Sequence, residues 1–323
     1  MKGEGIMKNS FLTGKLTAAI LAGTMALASV VGSVAMPITS FAKEDVIADN
    51  PEDGYVDYIS GHMVNNYGTV DSNNGAIDNN YGFIRASYDD YGVTVNDGKI
   101  EENSAAAVFY NNGEVTHNFR GGFVCNIKGT VVNNYEQASV FGGSQDFEDN
   151  IQGSGSITNN IGGEVAPGFN SKDLLTITNY YYGDISKSSD EQKGKISIVN
   201  DFSEENFEDR DYVTVDKKYH YVEVSGADNV SVKYDGFTYG DYDQKQYALV
   251  AEKNKPVEIT ASITIKPSRG YKIADDGQAC GETDNMAYTL KKHHDGSYTV
   301  NIKSLTGNEE VTLDMLHLAV EKK

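Results

Sequence analysis

From Val64 to Ile84 the chain reads "VNNYGTVDSNNGAIDNNYGFI", with an aliphatic residue returning every seven positions behind an Asn/Gly corner. Aligned on glycine, Asn66-Tyr67-Gly68-Thr69-Val70, Asn73-Asn74-Gly75-Ala76-Ile77 and Asn80-Tyr81-Gly82-Phe83-Ile84 are three copies of one unit. Fainter copies follow at Asp90–Val95, Asp97–Ile100, Asn111–Asn118, Lys128–Asn134, Gly155–Asn160, Gly162–Val165 and Tyr182–Ile185. A short strand and a tight corner recurring every seven or eight residues is the periodicity of a β-solenoid. Helix is disfavoured by the glycines, the β-branched residues and the lack of a sustained 3.6 period.

The residue types carry the local reasons. One aliphatic side chain per unit points inward, which predicts a lumen of Val64, Val70, Ile77, Ile84, Val115, Val131, Ile157 and Ile177. Gly and Asn turn the corners, because both tolerate positive φ, and Asn amides at equivalent corners can hydrogen-bond from coil to coil. Three units per coil predict about 21 to 23 residues per turn, with strands roughly 4.8 Å apart. An antiparallel meander is the competing reading, although its strands would be longer, about five or six residues. Residues 43–62 are expected to cap the open first coil, since an unpaired edge invites aggregation.

Near Asp201 the pattern changes. "DFSEENFEDRDY" is acidic and has no repeat unit, so 201–211 reads as a linker. Longer alternating stretches follow at Tyr219–Val224, Val230–Tyr234, Val257–Lys266, Tyr298–Ile302 and Val311–Val320, between turn signals such as "SGAD", "PSRG" and "HDGS". They predict a β-sandwich over 212–323. The fold class is thus all-β: a solenoid (a parallel β-helix of about three short strands per coil) over 63–200, then a C-terminal sandwich. "GYKIADDG" followed by "DGSYTVNIKSLTGNEEVTLDM" resembles the small Ig-like modules of Gram-positive surface and secreted proteins. The resemblance covers roughly the last hundred residues and implies a binding or spacer role without naming a ligand.

The N-terminus adds a compartment. Lys2, Lys8 and Lys15 precede a small and aliphatic run ending at Ser40-Phe41-Ala42, the pattern of a secretory signal peptide over 1–42. The run is also long enough to span a bilayer, so the alternatives are a cleaved leader and an uncleaved anchor. Cleavage gives a secreted protein with no membrane attachment of its own.

The chain has 27 basic and 47 acidic residues, a net charge of −20, and loss of 1–42 makes it −22 because Lys2, Lys8, Lys15 and Glu4 go with it. That charge repels nucleic acid and anionic membranes. It leaves cations, neutral glycans and cell-surface proteins as partners. Two cysteines, Cys125 and Cys280, cannot form a disulfide framework.

Catalytic motifs are missing. There is no nucleophile elbow, phosphate loop or metal-ligand spacing among the six histidines, and "HHDG" at His293-His294 reads as a turn. The solenoid resembles the polysaccharide-degrading β-helix enzymes in architecture alone. A carboxylate pair one coil apart, Asp78 and Glu101, is the best acid and nucleophile such an enzyme would have here. Calcium is the one metal that the oxygen-rich loops suggest, at Asp235, Asp241 and Asp243 in "YDGFTYGDYD" or among Glu204, Glu205, Glu208, Asp209 and Asp211.

Tyrosine is abundant, with 21 copies and no tryptophan. Tyr67, Tyr88, Tyr110 and Tyr135 are spaced by about one predicted coil and would form a column flanked by Asn66, Asp89, Asn111 and Asn134. Facing outward, such a column offers ring faces and amides to a glycan; facing inward, the rings only pack. The sequence thus points to a secreted, non-enzymatic interaction or adhesion protein that binds a glycan through a solenoid face. The alternatives are a polysaccharide lyase or glycoside hydrolase, and a structural stalk.

Overall fold

The computed structural model describes residues 46–87, 92–143, 153–187 and 189–323; the leader 1–42, residues 43–45 of the expected cap, Tyr88 and Asp89 lie outside them. Every regular element among the described residues is a strand.

A parallel β-solenoid of about ten turns forms the N-terminal part. Each strand pairs with the next but one in sequence, so a coil contains two strands rather than the predicted three. The seven-residue unit is half a coil, and the first turns repeat every 14 to 16 residues. One sheet stacks Val46–Asn50, His62–Asn66, Ala76–Asn80, Val93–Asn96, Ala107–Asn111, Phe123–Asn126 and Ser139–Gly142. The second stacks Tyr55–Ile59, Thr69–Asn73, Phe83–Ser87, Lys99–Asn103, Glu114–Asn118 and Thr130–Tyr135. It continues through the first halves of Ser156–Pro167 and Leu174–Ile185, then Lys195–Asp201 and the start of Val213–Ser225.

The typical strand buries its second and fifth residues. Two inward residues three apart, with a bend between the third and fourth, let a five-residue strand close a very tight coil. The second position is aliphatic. Val70, Ile77, Ile84, Val115, Val131, Ile157 and Ile177 fill the lumen as predicted. Val64 does not: Met63 takes the inward place and Val64 faces out.

The fifth position is the unexpected core residue, a fully buried asparagine. In the first sheet Asn50, Asn66, Asn80, Asn96, Asn111 and Asn126 form a ladder, each amide donating to the next carbonyl oxygen at 2.7 to 2.9 Å. In the second sheet Asn103, Asn118, Asn134 and Asn160 do the same. A buried polar side chain is costly unless its hydrogen bonds are made, and the stack makes them except at the start of the second ladder, where Asn103 Oδ1 has no partner. The second ladder ends at Asn160, because Tyr180 takes the next inward place; one coil further on, the buried carboxylate of Asp201 meets Lys218 Nζ at 2.8 Å.

Gly92, Gly162 and Gly183 have the expected positive φ, but six other corner glycines have a different cause. Gly68, Gly75, Gly82, Gly98, Gly113 and Gly129 do not have positive φ. A Cβ at Gly82 would overlap the carbonyl oxygen of Gly68, one at Gly98 that of Gly82, and one at Gly113 that of Gly98. Close stacking of coil on coil, not left-handed backbone, selects glycine there.

Two boundaries also move. Val46–Asn50 and Tyr55–Ile59 already form the first coil, so most of the expected cap is solenoid. At the other end, 201–211 is a loop between successive coils, because Lys195–Asp201 pairs in parallel with Val213–Lys218. Val213–Ser225 then leaves the solenoid and pairs with Gln246–Glu252 and Glu309–Thr312. Beyond it lie antiparallel sheets: Val230–Asp235, Ser262–Pro267, Tyr298–Leu305, Met286–Lys292 and Cys280–Glu282 in one, Tyr271–Asp275 with Leu318–Lys322 in another. Their core includes Ile263, Ile265, Tyr288, Tyr298, Val300 and Leu316.

Candidate ligand-binding face

The first, third and fourth positions of each strand of the second sheet face outward. In the early coils they are charged, with Arg85 paired to Asp71 at 2.8 Å and Lys99 to Glu114 at 2.9 Å. From Thr130 the character changes. Thr130, Val132 and Asn133, then Ser156, Thr158 and Asn159, then Thr176, Thr178 and Asn179, then Ser197, Val199 and Asn200 lie in register on four successive coils. These twelve neighbouring positions carry no charge in a chain that is 23% charged. Glu114 bounds the block on one side, Asp216 and Lys217 on the other.

The block is held rigidly. Asn200 donates to Asn179 at 3.0 Å, Asn179 to Asn159 at 2.9 Å and Asn159 to Asn133 at 2.9 Å. The hydroxyls of Thr130 and Ser156 are 3.0 Å apart. The face is therefore a flat array of hydroxyl and amide groups repeating at the strand spacing, about 4.8 Å. In the sequence the first two of these segments stand out only as faint repeat copies, and the other two not at all. The signal is present as "TVVNN", "SITNN", "TITNY" and "SIVND", in which the outward pattern Ser/Thr, Thr/Val, Asn brackets one inward aliphatic.

An aromatic column follows one edge of this face, at the residue after each buried fifth position: Phe119, Tyr135, Ile161, Tyr181, Phe202 and Tyr219. Phe119 and Tyr135 stack at 4.9 Å, Tyr181 and Phe202 at 5.1 Å, Phe202 and Tyr219 at 5.0 Å. Tyr242, from the C-terminal part, covers Tyr181 at 5.7 Å. Burial raises the Tyr135 and Tyr181 hydroxyls above the usual phenol range.

The predicted tyrosine column is not assembled as drawn. Tyr67 and Tyr110 belong to the first sheet and Tyr135 to the second, because a coil of about 15 residues puts a 22-residue spacing out of step. Tyr67 stacks instead on Tyr81, one coil away, at 5.1 Å and 10°. Both are exposed, at 43% and 46%, and each ring covers one face of the other. Asn66, Asn111 and Asn134 are fully buried ladder members. Among the described members of that set, Tyr135 alone has an outward side chain bordering the uncharged face.

The other candidates disperse. Asp78 lies on the first sheet, 2.9 Å from His62 Nε2, and Glu101 on the second, so they do not form a pair. Asp235 is held by Lys233 at 2.6 Å, Asp243 accepts from Tyr247 and from the Lys245 backbone, and Asp241 is exposed. Glu205 meets Arg210 at 3.3 Å. Among the described residues no three of His, Cys, Asp or Glu gather closely enough to hold a metal ion. His293-His294 opens a turn, with Gly296 N donating to His293 O at 3.0 Å. Buried Asp173 accepts backbone N–H groups of Gly153 and Asn170 at 2.7 and 2.9 Å, and burial raises its pKa. It fastens loops.

Compared with known protein families, curated proteins and solved structures, the chain matches none.

Proposed function

We propose that this is a secreted, non-enzymatic interaction protein that binds a neutral glycan through the uncharged face of the second sheet. The observation that carries this reading is the block from Thr130 to Asn200: twelve uncharged, mostly hydrogen-bonding positions in a strongly acidic protein. A protein partner would favour aromatic, Met and Arg anchors, which the block lacks, and nucleic acid would need positive charge. A polyhydroxylated chain finds both donors and acceptors there, and no charge has to be desolvated to meet it. The side chains are already ordered by their ladder, which lowers the entropy lost on binding. The C-terminal antiparallel sheets serve in this reading as an Ig-like module that spaces or attaches the solenoid.

The test is affinity electrophoresis through gels containing a neutral β-glucan, a mannan or a xylan. Wild-type protein should be retarded by at least one of them. Thr158→Asp with Thr178→Asp, which puts two carboxylates in the middle of the face, should run freely while keeping the wild-type far-UV circular dichroism spectrum. Retardation by none of them would refute the glycan reading, and release of reducing or unsaturated ends would replace it with the enzymatic one.

A further inference from the structure

The outer amide rank has a direction. An amide offers oxygen on one side and NH2 on the other, so in a stack each residue must match its neighbours, and Asn200, Asn179, Asn159 and Asn133 all donate toward the N-terminal coils. The last donor, Asn133 Nδ2, reaches both the Thr116 carbonyl oxygen at 3.4 Å and Nδ1 of His117 at 3.2 Å. An amide nitrogen can only donate, so in the contact with His117 it is Nδ1 that accepts, as the tautomer carrying its proton on Nε2 allows. At the far end the next position is Lys217, which can only donate.

We propose that His117 fixes the donor and acceptor polarity of the binding face, and that its protonation as pH falls breaks this polarity and weakens the bound ligand. The ligand part rests on the face being the glycan site; the polarity part does not. Histidine is the side chain whose charge changes between about pH 5 and 8. An imidazolium has N–H on both nitrogens, so Asn133 Nδ2 would then meet a donor. If Asn133 turns over, its NH2 meets that of Asn159. If the whole rank turns over, the NH2 of Asn200 faces Lys217. With a donor at each end, one joint lacks a side-chain acceptor wherever the fault settles, Asn133 Nδ2 keeping only the Thr116 carbonyl at 3.4 Å and water, and the pattern shown to a ligand changes with it.

Glu102 occupies the same rank one coil earlier, with Glu101 beside it. Glu114 on the same strand is held by Lys99. The Tyr135 hydroxyl is 3.3 Å from Nδ1, and the rings of Phe119 and Tyr135 lie 5.6 and 5.9 Å from the imidazole, keeping it in the stack.

The experiment is a pH titration from 8 to 5 of the full ¹⁵N-labelled protein, followed by NMR at the His117 ring and at the side-chain NH2 groups of Asn133, Asn159, Asn179 and Asn200. The amides should shift with the midpoint of the His117 ring, and His117→Asn, which places a non-titrating amide in the same rank, should abolish the shift. Amides that stay still while His117 titrates, or that still shift in His117→Asn, overturn the polarity switch. For whichever polysaccharide retards the protein, affinity should fall roughly tenfold from pH 7.5 to 5.5, the loss of about one hydrogen bond, and less than twofold in His117→Asn. Equal wild-type retardation at both pH values overturns the ligand part. If no polysaccharide is bound at pH 7.5, it is the glycan reading that fails, and the NMR arm still decides the switch.

Discussion

Asn159 and Asn160 are adjacent, chemically identical and both members of amide ladders, yet one faces solvent and the other the lumen. Replacing each with alanine isolates what burial does to a hydrogen bond. Asn160 is fully buried; it accepts from Asn134 at 2.8 Å and donates to the carbonyl oxygens of Gly163 and Tyr182 at 3.0 and 2.9 Å. Asn160→Ala removes three bonds, each with a net value of about 1 kcal/mol, and leaves buried acceptors where water is excluded, adding about 1 to 2 kcal/mol more. The expected loss is about 4 to 5 kcal/mol. Asn159 also makes two ladder bonds, at 2.9 Å each, but on a surface where water replaces them, so Asn159→Ala should cost about 1 kcal/mol or less. Urea unfolding followed by far-UV circular dichroism at pH 7, with midpoint shifts converted through a common m value, measures both. Losses within about 1 kcal/mol of each other would mean that the inner ladder is not a core element, and the account of the coil given above would be wrong.

Three further outcomes are expected. Gly82→Ala should cost at least about 2 kcal/mol in the same assay, since its Cβ would overlap the Gly68 carbonyl, whereas Gly270→Ala, at φ +87° with nothing within 4 Å, should cost only the left-handed strain, about 1 kcal/mol. His220 is buried, and burial, then the Lys218 charge, depress its pKa below 6.5, with Glu204 and Asn308 opposing. The neutral ring is therefore the folded form: its stability is fully present above about pH 6.5 and is lost as pH falls below it, so melting temperatures from pH 7.5 to 5 should decline less steeply in His220→Leu than in wild type. Chelation with EDTA should leave the melting temperature unchanged, because Asp235 and Asp243 are already engaged within the chain; a fall of several degrees would restore the calcium site.

The sequence by itself determined the all-β solenoid, its seven-residue unit, most of its lumen residues and the possibility of stacked amides, because period and residue type are local properties of a strand and a corner. It also marked the acidic segment near Asp201, although the structure makes that segment a loop between coils. Beyond Asp201 it located strands such as Val230–Asp235 and Tyr298–Leu305 but passed over Gln246–Glu252 and Met286–Lys292, since antiparallel partners are chosen by long-range packing. The number of units per coil was decided only by tertiary structure: two units close a coil because a strand can bend between its third and fourth residues and bury both Val70 and Asn73, which strict alternation does not foresee. That single choice moved the rest. At about 15 residues per turn Tyr67 meets Tyr81, Asp78 and Glu101 part to opposite sheets, and Asn133, Asn159, Asn179 and Asn200 come into line although they are 26, 20 and 21 residues apart. Spacings so unequal have no period for a sequence to display; they become one rank because loops of different length leave the coil and return to the same hydrogen-bonded register.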